Sequence, residues 1–111
     1  MPTVLLRVAM YAEPDHSWCA HALECDAMAT AASADTALDA LTKLLYAQML
    51  HDQRHRRAPF STYGVAPRRI WEAFATATAT REPIVVNRGE SGSLLRIMVA
   101  SVPGAGGANV T

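Results

Sequence analysis

Two groups of side chains in this 111-residue chain have the types and spacing for metal chemistry. His51-Asp52-Gln53-Arg54-His55 sets two histidines one helical turn apart, superficially the zincin pattern His-Glu-x-x-His with Asp in the Glu place. The shorter acid reaches less far towards a metal-bound water, no third ligand follows downstream, and the neighbouring arginines repel a cation. The segment is therefore read as solvated side chains that complement the negative end of a helix. His16, Cys19, His21 and Cys25 form the run His-x2-Cys-x-His-x3-Cys, which lacks the knuckle spacing of structural zinc sites. Cys19 is read instead as a small buried hydrophobe and His21 as a polar residue on a strand face. No metal and no cofactor is expected. Two cysteines in a chain without an export signal point to reduced thiols rather than a disulfide.

Carboxylates offer little more. Metal-dependent phosphodiester cleavage needs several acids converging on divalent ions, and Glu24, Asp26, Asp35 and Asp39 sit in a bend and a helix start, while Thr3 to Ala12 (TVLLRVAMYA) has none. No catalytic residue is assigned and the chain is read as non-enzymatic. Ser61 and Ser91 lack a suggestively placed histidine and acid, and Gly89-Glu90-Ser91-Gly92 is too short for a phosphate loop. Arg54, Arg56, Arg57, Arg68 and Arg69 fall close together and would suit RNA phosphates or an acidic protein surface. Overall, ten Lys and Arg balance ten Asp and Glu, so the whole chain has no electrostatic pull towards nucleic acid or membrane. No stretch approaches the ~20 apolar residues of a membrane span, and the N-terminus has no signal-peptide pattern, so the expected location is the cytoplasm.

The elements that would carry these residues follow from periodicity. Thr3 to Ala12 reads as a strand closed by the turn-like Glu13-Pro14-Asp15-His16. Ser17 to Leu23 alternates Trp18, Ala20 and Ala22 against Cys19, His21 and Leu23, and should pair with the first strand as a hairpin. A bend at Glu24-Cys25-Asp26 leads to a third strand over Ala27 to Ala32. Ser33 is a natural N-cap with Asp35 in the first turn, and Ala34, Ala37, Leu38, Leu41, Leu44, Leu45 and Met49 trace the stripe of a helix lying on a sheet. Arg54 to Arg57 would fill its last turn and Pro59 end it. Pro67 suits the first position of a shorter helix with Ile70, Trp71 and Phe74 on its apolar face, frayed by the alternating threonines from Thr76. Ile84 to Val86, a turn at Arg88 to Gly92, and Leu94 to Val102 read as a hairpin or one long final strand. Residues 1–102 are thus one α+β domain: a three-stranded antiparallel sheet, a long helix packed on it, a second short helix and a C-terminal strand or hairpin. The tail from Pro103, residues 103–111, is expected to be disordered. Bulky core residues are few, so a homodimer or higher homo-oligomer would supply further burial.

Strand, turn, strand, strand and capped helix is also the order of the HicB antitoxin family, whose N-terminal domain is a partial ribonuclease-H-like fold. Asp15 to Leu41, DHSWCAHALECDAMATAASADTALDAL, resembles that family over about the first 50 residues. Trp18, Cys19, Ala20 and His21 stand in the strand-two places, Ser33 in that of the capping Thr, Asp35 and Thr36 in those of two acids, and Ala37-Leu38 in those of the Ala-Leu pair. The chain departs from the pattern in having Ala32 for the usual Gly and Glu24-Cys25-Asp26 for a Pro-Gly bend. It also shows no C-terminal helix-turn-helix or ribbon-helix-helix module. The resemblance implies a non-catalytic domain that docks on and occludes a small messenger-RNA-cleaving toxin of the HicA type. Trp18, His21, Glu24 and Asp26 are the implied contacts, expected to be exposed, with the acids suited to a basic toxin. The alternative reading is a stand-alone nucleic-acid-binding regulator that uses Arg54 to Arg69.

Overall fold

The computed structural model describes residues 3–77, 79–86 and 94–102. Strand β1 (Thr3–Ala12) is apolar on both faces, and from Val8 to Tyr11 it is buried on both, as a strand at the centre of a covered sheet must be. Its successor β2 (Trp18–Ala22) returns antiparallel, with Val8 opposite Ala22 and Ala12 opposite Trp18, and β3 (Met28–Ala31) pairs with β2 in the same sense. Turn residue His16 takes a φ of 70° and Asp26 in the next bend a φ of 55°. The Asp15 carboxylate accepts from the Ser17 amide at 3.0 Å and hydroxyl at 2.6 Å, which holds that carboxyl below the usual range.

Helix α1 (Ala34–Arg54) starts where expected, with the Ser33 hydroxyl accepting from the Thr36 amide at 3.2 Å. Its buried stripe is Ala37, Leu38, Leu41, Leu45, Tyr46, Met49 and Asp52, laid on Leu6, Val8, Met10, Ala20 and Ala22 of the sheet. Leu44, expected on the stripe, lies too far round the helix from Leu38 and Leu41 and is half-exposed. The helix also ends earlier than the arginine run suggested. His55 caps it, donating from Nδ1 to the His51 carbonyl at 2.9 Å, and Arg56 turns the chain away at a φ of 57°, so Arg56 and Arg57 lie outside the last turn. A non-glycine residue in that left-handed region is strained by about 1 kcal/mol. Arg56→Gly should therefore raise stability by up to about 1 kcal/mol, read as a higher urea midpoint with an unchanged slope.

The second helix, α2 (Arg68–Ala75), has Pro67 as its N-cap rather than its first residue, because Pro67 keeps an extended ψ of 150°. It packs on the opposite face of the sheet, where Ile70 is buried with Ala9, Tyr11, Cys19 and Leu23. Helices therefore cover both faces, each with its own core. Two further strands, β4 (Ala79–Thr80) and β5 (Ile84–Val86), both pair antiparallel with β6 (Leu94–Ser101). Thr80 faces Ala100 but Ile84 faces Ile97, so three residues, Arg81, Glu82 and Pro83, oppose only two on β6, and the strand carries a bulge there. Pro83 is tolerated because it sits at that interruption of an edge. The hairpin reading of β5 and β6 is the one adopted, while its turn and the tail from Pro103 lie outside the described residues.

Beyond the sequence reading, β6 lies beside β1 and parallel to it, Thr3 opposite Leu94 through Met10 opposite Ser101, giving the order β3-β2-β1-β6-β4 with β5 also on β6. Among the described residues no helix is long and apolar enough to cross a membrane.

Candidate interaction surface

Alternation along the strands sorts the functional side chains between the two faces. Trp18, on the face under α1, is half-buried against the main core and is not the exposed contact expected of it. His21, on the other face, is also buried, at 3% exposure. Its Nε2 donates to the Asp26 carboxylate at 2.6 Å, since an ionised carboxylate has no proton to give, and its Nδ1 lies 3.1 Å from the Tyr11 hydroxyl. Burial, reinforced by the neighbouring Cys19, pushes the Tyr11 hydroxyl well above its ordinary pKa. Asp26, Tyr11 and His21 thus form a closed chain that fixes the bend after β2, with part of the Asp26 carboxylate still open to solvent at 41% exposure.

Glu24, at the same bend, is tied down differently. One carboxylate oxygen accepts from the Arg7 amide at 2.7 Å and the other from the Arg7 guanidinium. The guanidinium carbon also lies 5.6 Å from the centre of the Trp71 ring, so α2 supplies one wall for the pair. Arg7 in turn borders a shallow groove of about 410 Å³, lined with Thr3, Leu5, Phe74, Arg96 and Met98. Phe74 of α2 borders this groove, but the helix leaves its floor of Leu5 and Met98 partly open to solvent. Leu5 is 46% exposed there, and Val85, directly opposite Arg96 on β5, is 57% exposed. Glu24, through Arg7, thus sits at the border of an open half-sheet, which no stretch-by-stretch reading of the chain could reveal because it depends on β6 lying beside β1.

Some arginines of the alternative reading are paired within the chain. Arg57 faces the buried Asp52 at 3.5 Å, Arg68 bonds Glu72 at 2.9 Å within α2, and Arg54 and Arg56 are exposed at the end of α1. His51 and His55 stack with ring centres 4.3 Å apart, and Asp52 between them points inward, so the zincin-like spacing builds no ligand set. Among the described residues no group of three His, Cys, Asp or Glu side chains is placed to hold a metal ion. Cys19 and Cys25 are free and buried, and burial pushes both thiols up.

Comparison with protein-family models, with curated proteins and with solved structures finds no match to this chain.

Proposed function

We propose that this chain is a HicB-like, non-catalytic protein-binding module, and that its partner is a small messenger-RNA-cleaving toxin of the HicA type. The open half-sheet carries the protein-binding part of the reading: Leu5, Val85 and Met98 are exposed around Arg96, and Arg7 at their border holds the Glu24 carboxylate in a fixed position. Exposed apolar side chains gathered on one sheet face favour a protein partner, and fixed side chains lose little entropy when it arrives. The strand order and capped helix that resemble HicB antitoxins point to the kind of partner. Within that reading Asp26 and Glu24 are the charged rim. His21 holds Asp26 in place rather than touching the toxin, and Trp18 supports the strand from beneath.

Affinity capture of the tagged chain co-expressed with its neighbouring reading frames, with and without nuclease treatment, tests the proposal. A small basic protein retained after nuclease treatment is the expected result, and retention of nucleic acid alone would overturn it. Replacing Glu24 and Asp26 together with Lys should weaken that capture about tenfold or more, chiefly by slowing association. Asp26→Asn, which tolerates the left-handed bend, should weaken it less while keeping the melting temperature. Unchanged capture by both variants would remove the bend from the interface.

A further inference from the structure

We propose that the open half of the sheet is the docking face for an amphipathic helix of a partner protein that presents a carboxylate from within its apolar stripe. The inference rests on reading this face as a protein-docking surface, and it names the shape and charge of what docks. The ten residues of β1 span about 33 Å, whereas the eight residues of α2 cover only about 12 Å. The helical layer that α2 begins therefore covers the N-terminal part of β1 and the facing part of β6 only in part, with Phe74 at the edge of the gap and Leu5 and Met98 left exposed. A floor made of Leu5, Met98 and Val85 is what the apolar side of a helix covers elsewhere in this fold.

Charge decides among the possible occupants. Arg96 is exposed, stands between Leu5 on β1 and Val85 on β5, and makes no ion pair with any described carboxylate. Arg7, its companion in the groove, is already committed to Glu24. Among the described residues the Arg96 guanidinium has no carboxylate partner, and such a cation amid apolar side chains favours a single carboxylate delivered by an otherwise apolar surface. A second copy centred on Arg96 would set that guanidinium against its own symmetry mate. An added strand would seek a sheet edge, whereas this face offers side chains and no free backbone groups. Among the described residues a nucleic acid would meet Arg96 as the unpaired cation of this apolar floor, too little for a phosphate backbone.

The test is selection of a displayed library of random 16-residue peptides on the intact folded chain, followed by titration of the enriched peptides by fluorescence anisotropy. Enriched sequences should repeat apolar residues at helical spacing, with Asp or Glu inside the stripe. Their affinity should fall about tenfold or more for Arg96→Glu, and equally for Val85→Asp, an exposed edge position whose variant should keep the parent's melting temperature. Exchanging the peptide's acid for Lys should restore binding to Arg96→Glu. Enrichment without helical spacing, no enrichment, or affinity indifferent to Arg96→Glu would overturn the proposal. So would self-association of the chain that Val85→Asp abolishes. A basic toxin still captured by Arg96→Glu would leave the protein-binding reading standing while the helix proposal falls.

Discussion

Asp52→Ala should cost about 3 kcal/mol of folding stability, from about a fifth to over half of what a domain of this size has to lose. Asp52 is fully buried near the end of α1, and its carboxylate accepts from the Phe60 amide at 2.7 Å and from the Gln48 side chain at 3.2 Å, with Arg57 Nε at 3.5 Å. Its backbone carbonyl also accepts from the Arg57 amide at 2.8 Å. One side chain thus gathers the loop that carries the chain from α1 round to α2. Truncation would strand the Phe60 amide in the core and release Phe60 itself, which packs into the main cluster at a φ of 60°. Urea unfolding followed by circular dichroism measures the loss. Asp52→Asn keeps an oxygen for the Phe60 amide and should cost only about 1 kcal/mol, because the shape is preserved and only the charge assistance goes. Equal losses for the two variants would show that Asp52 acts through its charge alone.

Alkaline solution should unfold the protein well before most domains of its size. Tyr11, Cys19 and Cys25 are all buried, and burial raises all three above their ordinary values, which are 10 for the phenol and 9 for each thiol. Each folded group holds its proton longer than the unfolded one, so the native state binds more protons and stability must fall as pH rises. The loss is absent below about pH 8. It begins as pH passes the ordinary thiol value and gains the tyrosine contribution above pH 10. Each group contributes to the loss between its ordinary value and its raised folded value, the two thiols first and the tyrosine after them. Melting temperatures measured from pH 7 to 11 should decline steeply above pH 9, and the Cys19→Ala, Cys25→Ala double variant should shallow that decline. A flat profile, or a decline unchanged in the double variant, would refute the assignment.

Much of the fold was legible because its first half obeys local rules. The period-two alternation around Cys19 and His21, the Ser33 cap and the leucine stripe each fix an element without knowledge of its neighbours. The sheet order was not legible, since pairing β1 with β6 is a contact between the two ends of the domain, although the apolar run Val8 to Tyr11 on both faces already marked a central strand. Asp52 also left a trace: it falls on the same helical stripe as Leu41, Leu45 and Met49, and an acid on a buried stripe must be hydrogen-bonded. The spacing of His51 and His55 drew attention to the right residue for the wrong chemistry. Exposure of the site residues was misjudged for a simpler reason. Alternation shows which residues share a face but not whether a helix covers it, and α2 and its preceding loop bury His21 while α1 half-buries Trp18. The open half-sheet needed both the β1 and β6 pairing and the short reach of α2, neither of which has a local signature.

The parallel seam between β1 and β6 also sets the order of events when the chain is made. Strands β1 to β3 and helix α1 can assemble as soon as they emerge, but one side of β1 then has unpaired amides and carbonyls until the last strand has been synthesised. The nascent intermediate is therefore a sheet with a bare, strongly apolar edge along its longest strand, the kind of surface that recruits another growing chain. Closure is a long-range event that must await β6, and pairing of this kind slows folding relative to a local hairpin.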